Sequence, residues 1–292
     1  MVNVYEQVSA NKLRSNIIIT LFVGFICLAG YSISYLFNIG NLLPLAIIFS
    51  LFSSFASFFW GDQIVLALNG AKAARRQEYF DFYTVTENLS LAAQIPTPKI
   101  YVIETSAMNA FATGRDPQHA VICATTGLLE KLNRTELEGV IAHELSHIQN
   151  YDIRLMMIVS ILIGTLSILI DMSWRARLFQ NNDDQENKNG LLTIVGIIMI
   201  IFAPIISQLI QLAISRRREF LADASATKLT RQPSGLINAL KKISDDKNVF
   251  ETASTATATL YISNPFKANK VANLFSTHPP IQDRIKALEQ MM

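Results

Sequence analysis

Long apolar runs alternate with charged segments along this chain. No charged residue occurs from Ser15 to Gly61, and this stretch is long enough for two crossings of a hydrocarbon layer about 30 Å thick. Turn-forming residues at 38–41, followed by Pro44, divide it. The pattern predicts two membrane helices, near residues 17–37 and 42–60. Aromatic residues at 58–60 would anchor the second helix at the membrane interface.

Two further apolar runs occupy residues 155–170 and 191–214. The first is short for a full crossing, so Asp171 is expected near the far interface. The second contains Pro204, which predicts a kink. Buried core helices are the alternative interpretation of both runs, but their length and lack of charge favour membrane spans. We therefore predict four transmembrane helices.

The positions of lysine and arginine predict the orientation of these spans. Basic residues flank the two pairs of spans on one side, at positions 12, 14, 72, 75, 76, 154 and 216–218. An even number of spans places all of them in the cytoplasm. The predicted organisation is a cytoplasmic segment at 1–15, spans 1 and 2 within 16–60, and spans 3 and 4 within 155–214. A short external loop at 171–190 joins the last two spans, and residues 61–154 and 215–292 form one cytoplasmic domain.

Composition supports a membrane protein and excludes some other classes. Half of the residues are hydrophobic and 16% are charged, whereas soluble chains average about 25% charged residues. A net charge of +2 gives no basis for nucleic-acid binding. Cys27 and Cys123 form neither a disulfide framework nor a cysteine zinc site.

The segment 61–154 carries both helical and strand patterns. Charged helical sequence runs from 72 to about 93, and strands are predicted at 99–103, 109–114 and 120–125, so we expect a small sheet. A further helix follows, with a capping box predicted between Thr135 and Glu138. This helix is charged at its start, so it lies outside the bilayer.

That helix carries the residues His143-Glu144-Leu145-Ser146-His147. Histidines four apart on a helix share a face and can bind one metal ion, and the glutamate between them is placed to activate water. With only four histidines in the chain, the expected number of chance occurrences is about 0.002. Of the other histidines, His119 lies beside a proline-containing turn and is expected to be exposed.

A catalytic zinc requires a third protein ligand. Glu219 and Asp223 lie four apart on a predicted helix that also carries small residues, Ala222 and Ala226. Glu219 as ligand and Asp223 as hydrogen-bond acceptor for a ligand histidine would complete a His₂Glu site. A solvated carboxylate pair beside the basic residues 216–218 is the alternative, and spacing alone leaves both open.

Four ordered motifs resemble those of the HtpX family of membrane-bound zinc endopeptidases. They are His-Glu-x-x-His-x-x-Asn-x-Asp at 143–152, Arg-Glu-Phe-x-Ala-Asp at 218–223, Asn-Ala-Phe-Ala-Thr-Gly at 109–114, and Ser-Thr-His-Pro-Pro at 276–280 followed by Arg-Ile at 284–285. The resemblance implies one Zn²⁺ per chain held by His143, His147 and Glu219. It also implies a zincin-like α+β protease domain at the cytoplasmic face of a bacterial inner membrane. Protein or peptide substrates, above all damaged or misfolded membrane proteins, and a role in stress response follow from it.

The same resemblance assigns the remaining residues of the site. Glu144 would be the general base, and His278 would help to stabilise the oxyanion. Asn109 would bind substrate on an edge strand. Arg284 would also contact substrate, although a structural role, paired with Asp283 or a helix terminus, is equally open. Asn150 and Asp152 match the motif without a predicted role.

The overall prediction is a mainly α-helical membrane protein with four transmembrane helices and a cytoplasmic protease domain. Three alternatives differ from it in function. The charged motif helix argues against an intramembrane protease, and only four predicted spans argue against a CAAX prenyl endopeptidase. Glu144 argues against a scaffold with a structural zinc, because such a site needs no general base.

Overall fold

The computed structural model describes residues 4–37, 43–178, 216–248, 257–263 and 279–292. Helices dominate these ranges. In chain order they are α1 (Val4–Phe37), α2 (Leu43–Phe59), α3 (Gly61–Leu68), α4 (Phe80–Ala92), α5 (Thr126–Lys131), α6 (Arg134–Gln149), α7 (Asp152–Leu178), α8 (Arg216–Thr230), α9 (Pro233–Asp245) and α10 (Ile281–Glu289).

A four-stranded mixed sheet confirms the predicted small sheet. Its strands are β1 (Lys72–Ala73), β2 (Lys99–Ile103), β3 (Ala110–Gly114) and β4 (Ala120–Thr125), in the spatial order β1-β2-β4-β3. β2 and β4 are parallel, with Tyr101 opposite Cys123, and the other pairs are antiparallel. Every residue of β4 is buried, as expected of a central strand covered on both faces.

Two local predictions in this region are wrong. The helix expected from residue 72 begins only at Phe80, because Lys72 and Ala73 pair with β2 instead. The capping box of α6 lies two residues earlier than predicted: Asn133 accepts a hydrogen bond from the Glu136 amide, and Glu136 accepts one from the Asn133 amide. Glu138 instead lies 3.4 Å from Arg134.

The sheet lies between two apolar layers. On one face, Ile122 and Ala112 belong to the same buried cluster as Val140 and Ile141 of α6. On the other face, residues of β3 and β4 pack in a second cluster with α1 and α7; among them are Phe111, Val121, Cys123, Ile18 and Leu162. The motif helix is thus attached to the sheet on one side, while the long apolar helices cover the other.

Helix α2 has the burial pattern of a lipid-facing helix. Its buried residues are all serines, at positions 50, 53, 54 and 57, whereas Leu45, Ile48 and Phe52 are each more than 60% exposed. A soluble helix shows the reverse arrangement. Small residues at the helix interface with apolar side chains outside are typical of membrane helices.

Within the described residues, one helix alone is long and apolar enough to cross a membrane, at Val8–Leu28 of α1. The count rises to three if each of two bent helix pairs is one span: α2 with α3, bent by 82°, and α6 with the first part of α7, bent by 83°. The bend after α2 ends the apolar run where the second span was predicted to end. Helix α7 continues to Leu178, past Asp171, where the external loop was predicted to begin. The fourth predicted span, 191–214, lies outside the described residues.

Candidate metal centre and active site

Helix α6 brings three buried polar side chains to one place. His143, Glu144 and His147 are 1%, 2% and 4% exposed. The Nε2 atoms of the two histidines lie 3.2 Å apart, and the planes of the two rings are inclined by 88°. Both imidazoles therefore direct a ring nitrogen toward a common point.

Glu219 on α8 completes a cluster of three possible metal ligands. Its carboxylate oxygens lie 3.6 Å from the Nε2 atoms of His143 and His147, and the three ligand atoms all lie within 4.8 Å of one another. Tetrahedral zinc with bond lengths of about 2.0–2.1 Å separates its ligand atoms by about 3.4 Å. The donor set and its spacing thus fit a zinc ion. Ala222 and Ala226 are both buried on the same helix.

The Nδ1 atom of His143 contacts a carboxylate, and that carboxylate pairs with an arginine. Asp223 Oδ1 lies 2.9 Å from His143 Nδ1. Arg284 on α10 donates two hydrogen bonds to Asp223, from Nε at 2.8 Å and from Nη2 at 2.6 Å. Because a carboxylate can only accept, Nδ1 of His143 carries a hydrogen, which leaves Nε2 free to bind metal.

His147 has a similar support that the sequence did not predict. Its Nδ1 lies 3.0 Å from Oδ2 of Asp152, the first residue of α7. The other oxygen, Oδ1, accepts hydrogen bonds from Asn11 on α1 at 2.8 Å and from Arg218 on α8 at 3.2 Å. A turn in which Tyr151 has a φ of 60° brings Asp152 back toward His147. This turn lies within the motif at 143–152, so the Asn-x-Asp ending was the available signal.

Burial and neighbouring charges shift the pKa values in the site. Burial and Arg284 lower the pKa of His143, but Asp223 and Glu219 outweigh them and raise it to about 9. Burial raises the pKa of Glu144, with the charges of both histidines opposing that shift. Burial alone would raise the pKa of Asp223, yet Arg284 and His143 bring it to about 2. Burial alone would lower the pKa of Arg284, but the charge of Asp223 and its hydrogen bonds raise that pKa above its ordinary value.

Arg284 lies inside this network rather than on an open surface. Its side chain is fully buried, and its Nη1 lies 3.5 Å from Glu219. The structural role considered from the sequence paired Arg284 with Asp283 or with a helix terminus. In the structure Arg284 pairs with Asp223 instead. A direct contact between Arg284 and substrate remains a prediction.

Asn109 lies immediately before β3, the strand at one edge of the sheet. It is 3% exposed, and its side-chain amide donates a hydrogen bond to the Ser263 carbonyl at 2.9 Å. The Ile262 amide donates to the Ala110 carbonyl at 2.9 Å. The edge position agrees with the sequence-based expectation, but in this structure the amide of Asn109 holds the chain's own segment.

The remaining histidines contribute no further ligand among the described residues. His119 is about half exposed and lies 2.7 Å from Asp116, in keeping with the expectation of a surface residue. His278 lies outside the described residues, so its role at the oxyanion remains a prediction.

Comparison with known proteins decides the family. The family model described as Peptidase family M48 matches residues 76–292. The chain is 42% identical over 288 residues to a protease HtpX homolog of Dictyoglomus turgidum, covering 98% of this chain and 94% of that protein. It is 41% identical over 297 residues to a protease HtpX homolog of Streptococcus pneumoniae, covering 98% and 99%.

The chain belongs to peptidase family M48. Within M48 it belongs to the HtpX family, which confirms the resemblance carried by the four motifs. Its fold is similar to that in the crystal structure of S. mikatae Ste24p, with a TM-score of 0.50 at 19% identity; the match covers 98% of this chain and 67% of that one. It is a membrane-associated M48 metalloprotease, and the ligand cluster on α6 and α8 is compatible with the metal that this family implies.

Proposed function

We propose that this protein is a zinc-dependent endopeptidase that hydrolyses peptide bonds of membrane proteins at the cytoplasmic face of a bacterial inner membrane. The observation that carries the proposal is the convergence of His143, His147 and Glu219, with the buried carboxyl of Glu144 on the same helix. A structural zinc site is normally closed by four protein ligands. The three ligands here leave a position open for chemistry.

The side chains around the cluster divide the chemistry between them. Zinc, when bound, supplies a Lewis acid. Glu144 accepts a proton from the attacking water and passes it to the leaving amine, and the burial that raises its pKa suits it to this exchange. Asp223 and Asp152 hold the two histidines in orientation. His278 donates to the developing oxyanion, as its position in the family motif implies.

The proposed substrates and location rest on the arrangement of the apolar helices. Helix α7 begins at Asp152, which contacts His147, so the metal cluster lies at the end of a long apolar helix. A site there suits segments emerging from a bilayer, in keeping with quality control of damaged or misfolded membrane proteins.

Cysteine labelling tests the proposed four-span topology. A cysteine introduced near residue 185 should be labelled from outside the cytoplasm, and labelling from the cytoplasmic side alone would contradict it.

The activity is tested with purified protein in detergent, by metal analysis and casein digestion. We expect about one zinc per chain and cleavage that a chelator abolishes. Glu144→Gln should retain the zinc and lose cleavage by at least about 100-fold, because general acid–base catalysis contributes about 10²–10⁴ in rate. Glu138→Gln on the same helix, whose side chain is 34% exposed, is the matched control and should cleave normally. Normal cleavage by Glu144→Gln would contradict its assigned role, and protein without zinc would contradict the metal assignment.

A further inference from the structure

The first apolar helix, α1, donates a hydrogen bond to Asp152, the residue that orients the proposed metal ligand His147. Asn11 of α1 is 2% exposed. Its Nδ2 donates two hydrogen bonds, to Asp152 Oδ1 at 2.8 Å and to the Asn150 carbonyl at 2.9 Å. The acceptors lie at the junction of the two helices: Asn150 caps the end of α6, and Asp152 is the first residue of α7.

These bonds fix the carboxylate that orients His147. One oxygen of Asp152 faces the histidine Nδ1 at 3.0 Å, and the other faces Asn11 and Arg218. A carboxylate held at both oxygens cannot rotate away from the imidazole. The bond to the Asn150 carbonyl also fastens the end of α6 to α1, so that the turn and the carboxylate are held together.

Asn11 lies on the buried face of α1. The neighbouring positions 12, 13 and 14 of α1 are exposed, and the next buried residues on that face are Ser15 and Ile18. The Ser15 hydroxyl donates to the Asn11 carbonyl at 2.9 Å, which is a bond within the helix. The Asn11 amide, in contrast, reaches across to the residues that join α6 and α7. A buried amide is costly unless its donors are satisfied. Here one bond goes to Asp152, which contacts His147, and the other goes to the Asn150 carbonyl.

We propose that Asn11 is a positioning residue of the metal centre, through which the first membrane helix sets the affinity and geometry of the site. The inference rests on the proposed zinc site. It assigns to α1 a role beyond membrane attachment: the helix contributes to the hydrogen-bonded shell around the metal ligands. Outer-shell partners of metal ligands typically change metal affinity by about 10- to 100-fold when mutated.

The test measures zinc affinity by chelator competition in the full-length protein in detergent. Asp152→Asn should weaken binding by about 10- to 100-fold. Asn11→Leu, of similar size, should weaken binding by about 10-fold, at the lower end of that range, because it acts through Asp152. Asn16→Leu is the matched control, since Asn16 is an exposed asparagine on the same helix, and it should bind zinc like the wild type.

Two readouts separate positioning from general destabilisation. With Co²⁺ in place of zinc, the visible spectrum of Asn11→Leu should differ from that of the wild type, while that of Asn16→Leu should not. In a double-mutant cycle, Asn11→Leu combined with Asp152→Asn should bind zinc no more weakly than Asp152→Asn alone. If the two losses multiply instead, Asn11 does not act through Asp152 and the inference is wrong.

Folding of each variant is checked by circular dichroism and gel filtration. If Asn11→Leu does not fold, Asn11→Ser replaces it, because serine stays polar but is too short to reach Asp152, and the same loss is expected. Wild-type affinity and an unchanged cobalt spectrum in a folded Asn11 variant would overturn the inference. Failure of the wild type itself to bind zinc would instead refute the proposed function, so the two results are distinguishable.

Discussion

Replacement of Arg284 by methionine should destabilise the protease domain strongly even without metal. The guanidinium and the Asp223 carboxylate are 0% and 1% exposed and share hydrogen bonds of 2.8 and 2.6 Å. Removing one partner of a buried ion pair costs about 3–5 kcal/mol, because the other charge is left uncompensated. Asp223 retains His143 as a partner at 2.9 Å, so we expect the lower end, about 3 kcal/mol.

The assay is thermal unfolding in detergent with a chelator present, so that metal binding does not contribute. A loss of about 3 kcal/mol corresponds to a decrease in Tm of roughly 6–12 °C. Arg134→Met is the control, since that side chain is 49% exposed where it pairs with Asp81, and it should cost less than about 1 kcal/mol. Adding Asp223→Asn to Arg284→Met should recover part of the loss, because the buried charge of Asp223 that Arg284 compensated is then removed as well. Equal shifts for Arg284→Met and Arg134→Met would refute this reasoning.

Three further outcomes follow from the described contacts. Gly139→Ala should cost about 1–3 kcal/mol in thermal unfolding, because a Cβ there would lie 2.6 Å from the Leu236 amide nitrogen; Gly24→Ala, with open space around it, should not destabilise. Asn133→Ala should lower stability by about 1 kcal/mol through loss of the α6 cap, and an unchanged Tm would show that the cap is dispensable. Because the pKa of Asp223 is lowered to about 2, its contribution to stability should be complete above about pH 4 and lost as the pH falls toward 2. The measurement is the stability of wild type and Asp223→Asn as the pH is lowered. Absence of the acid-induced loss in Asp223→Asn would confirm the assignment, and the same loss in both proteins would contradict it.

Sequence periodicity was sufficient for the elements that carry the ligands. The four-residue spacing of His143 and His147, and of Glu219 and Asp223, requires only a helix to place each pair on one face. Strands β2, β3 and β4 of the sheet were also predictable, since each is a short apolar run bounded by turn residues.

The features that sequence reasoning missed depend on contacts between distant segments. β1 forms because Lys72 and Ala73 pair with the neighbouring strand β2. The helical propensity of the local sequence gave no indication of this pairing. Asp152 has its role because the chain turns sharply after Asn150, and Asn11 acquires one because α1 packs beside that turn. The Asn-x-Asp ending of the motif marked Asp152, but no local pattern encodes the contact of Asn11 with it.

The orientation of the two histidines links the metal centre to the apolar helices. Asp152, which orients His147, is the first residue of α7, and Asp223, which orients His143, lies on α8 beyond the last apolar run. The segment predicted as the second membrane pair, 155–214, thus lies in the sequence between the two carboxylates that orient the ligands. Each carboxylate contacts the Nδ1 atom of one histidine, and the Nε2 atoms of the two histidines lie 3.2 Å apart. The two ends of that insertion must therefore lie together at the site. Metal binding and the packing of these helices are therefore coupled: whatever separates α7 from α8 also separates the supports of the two histidines.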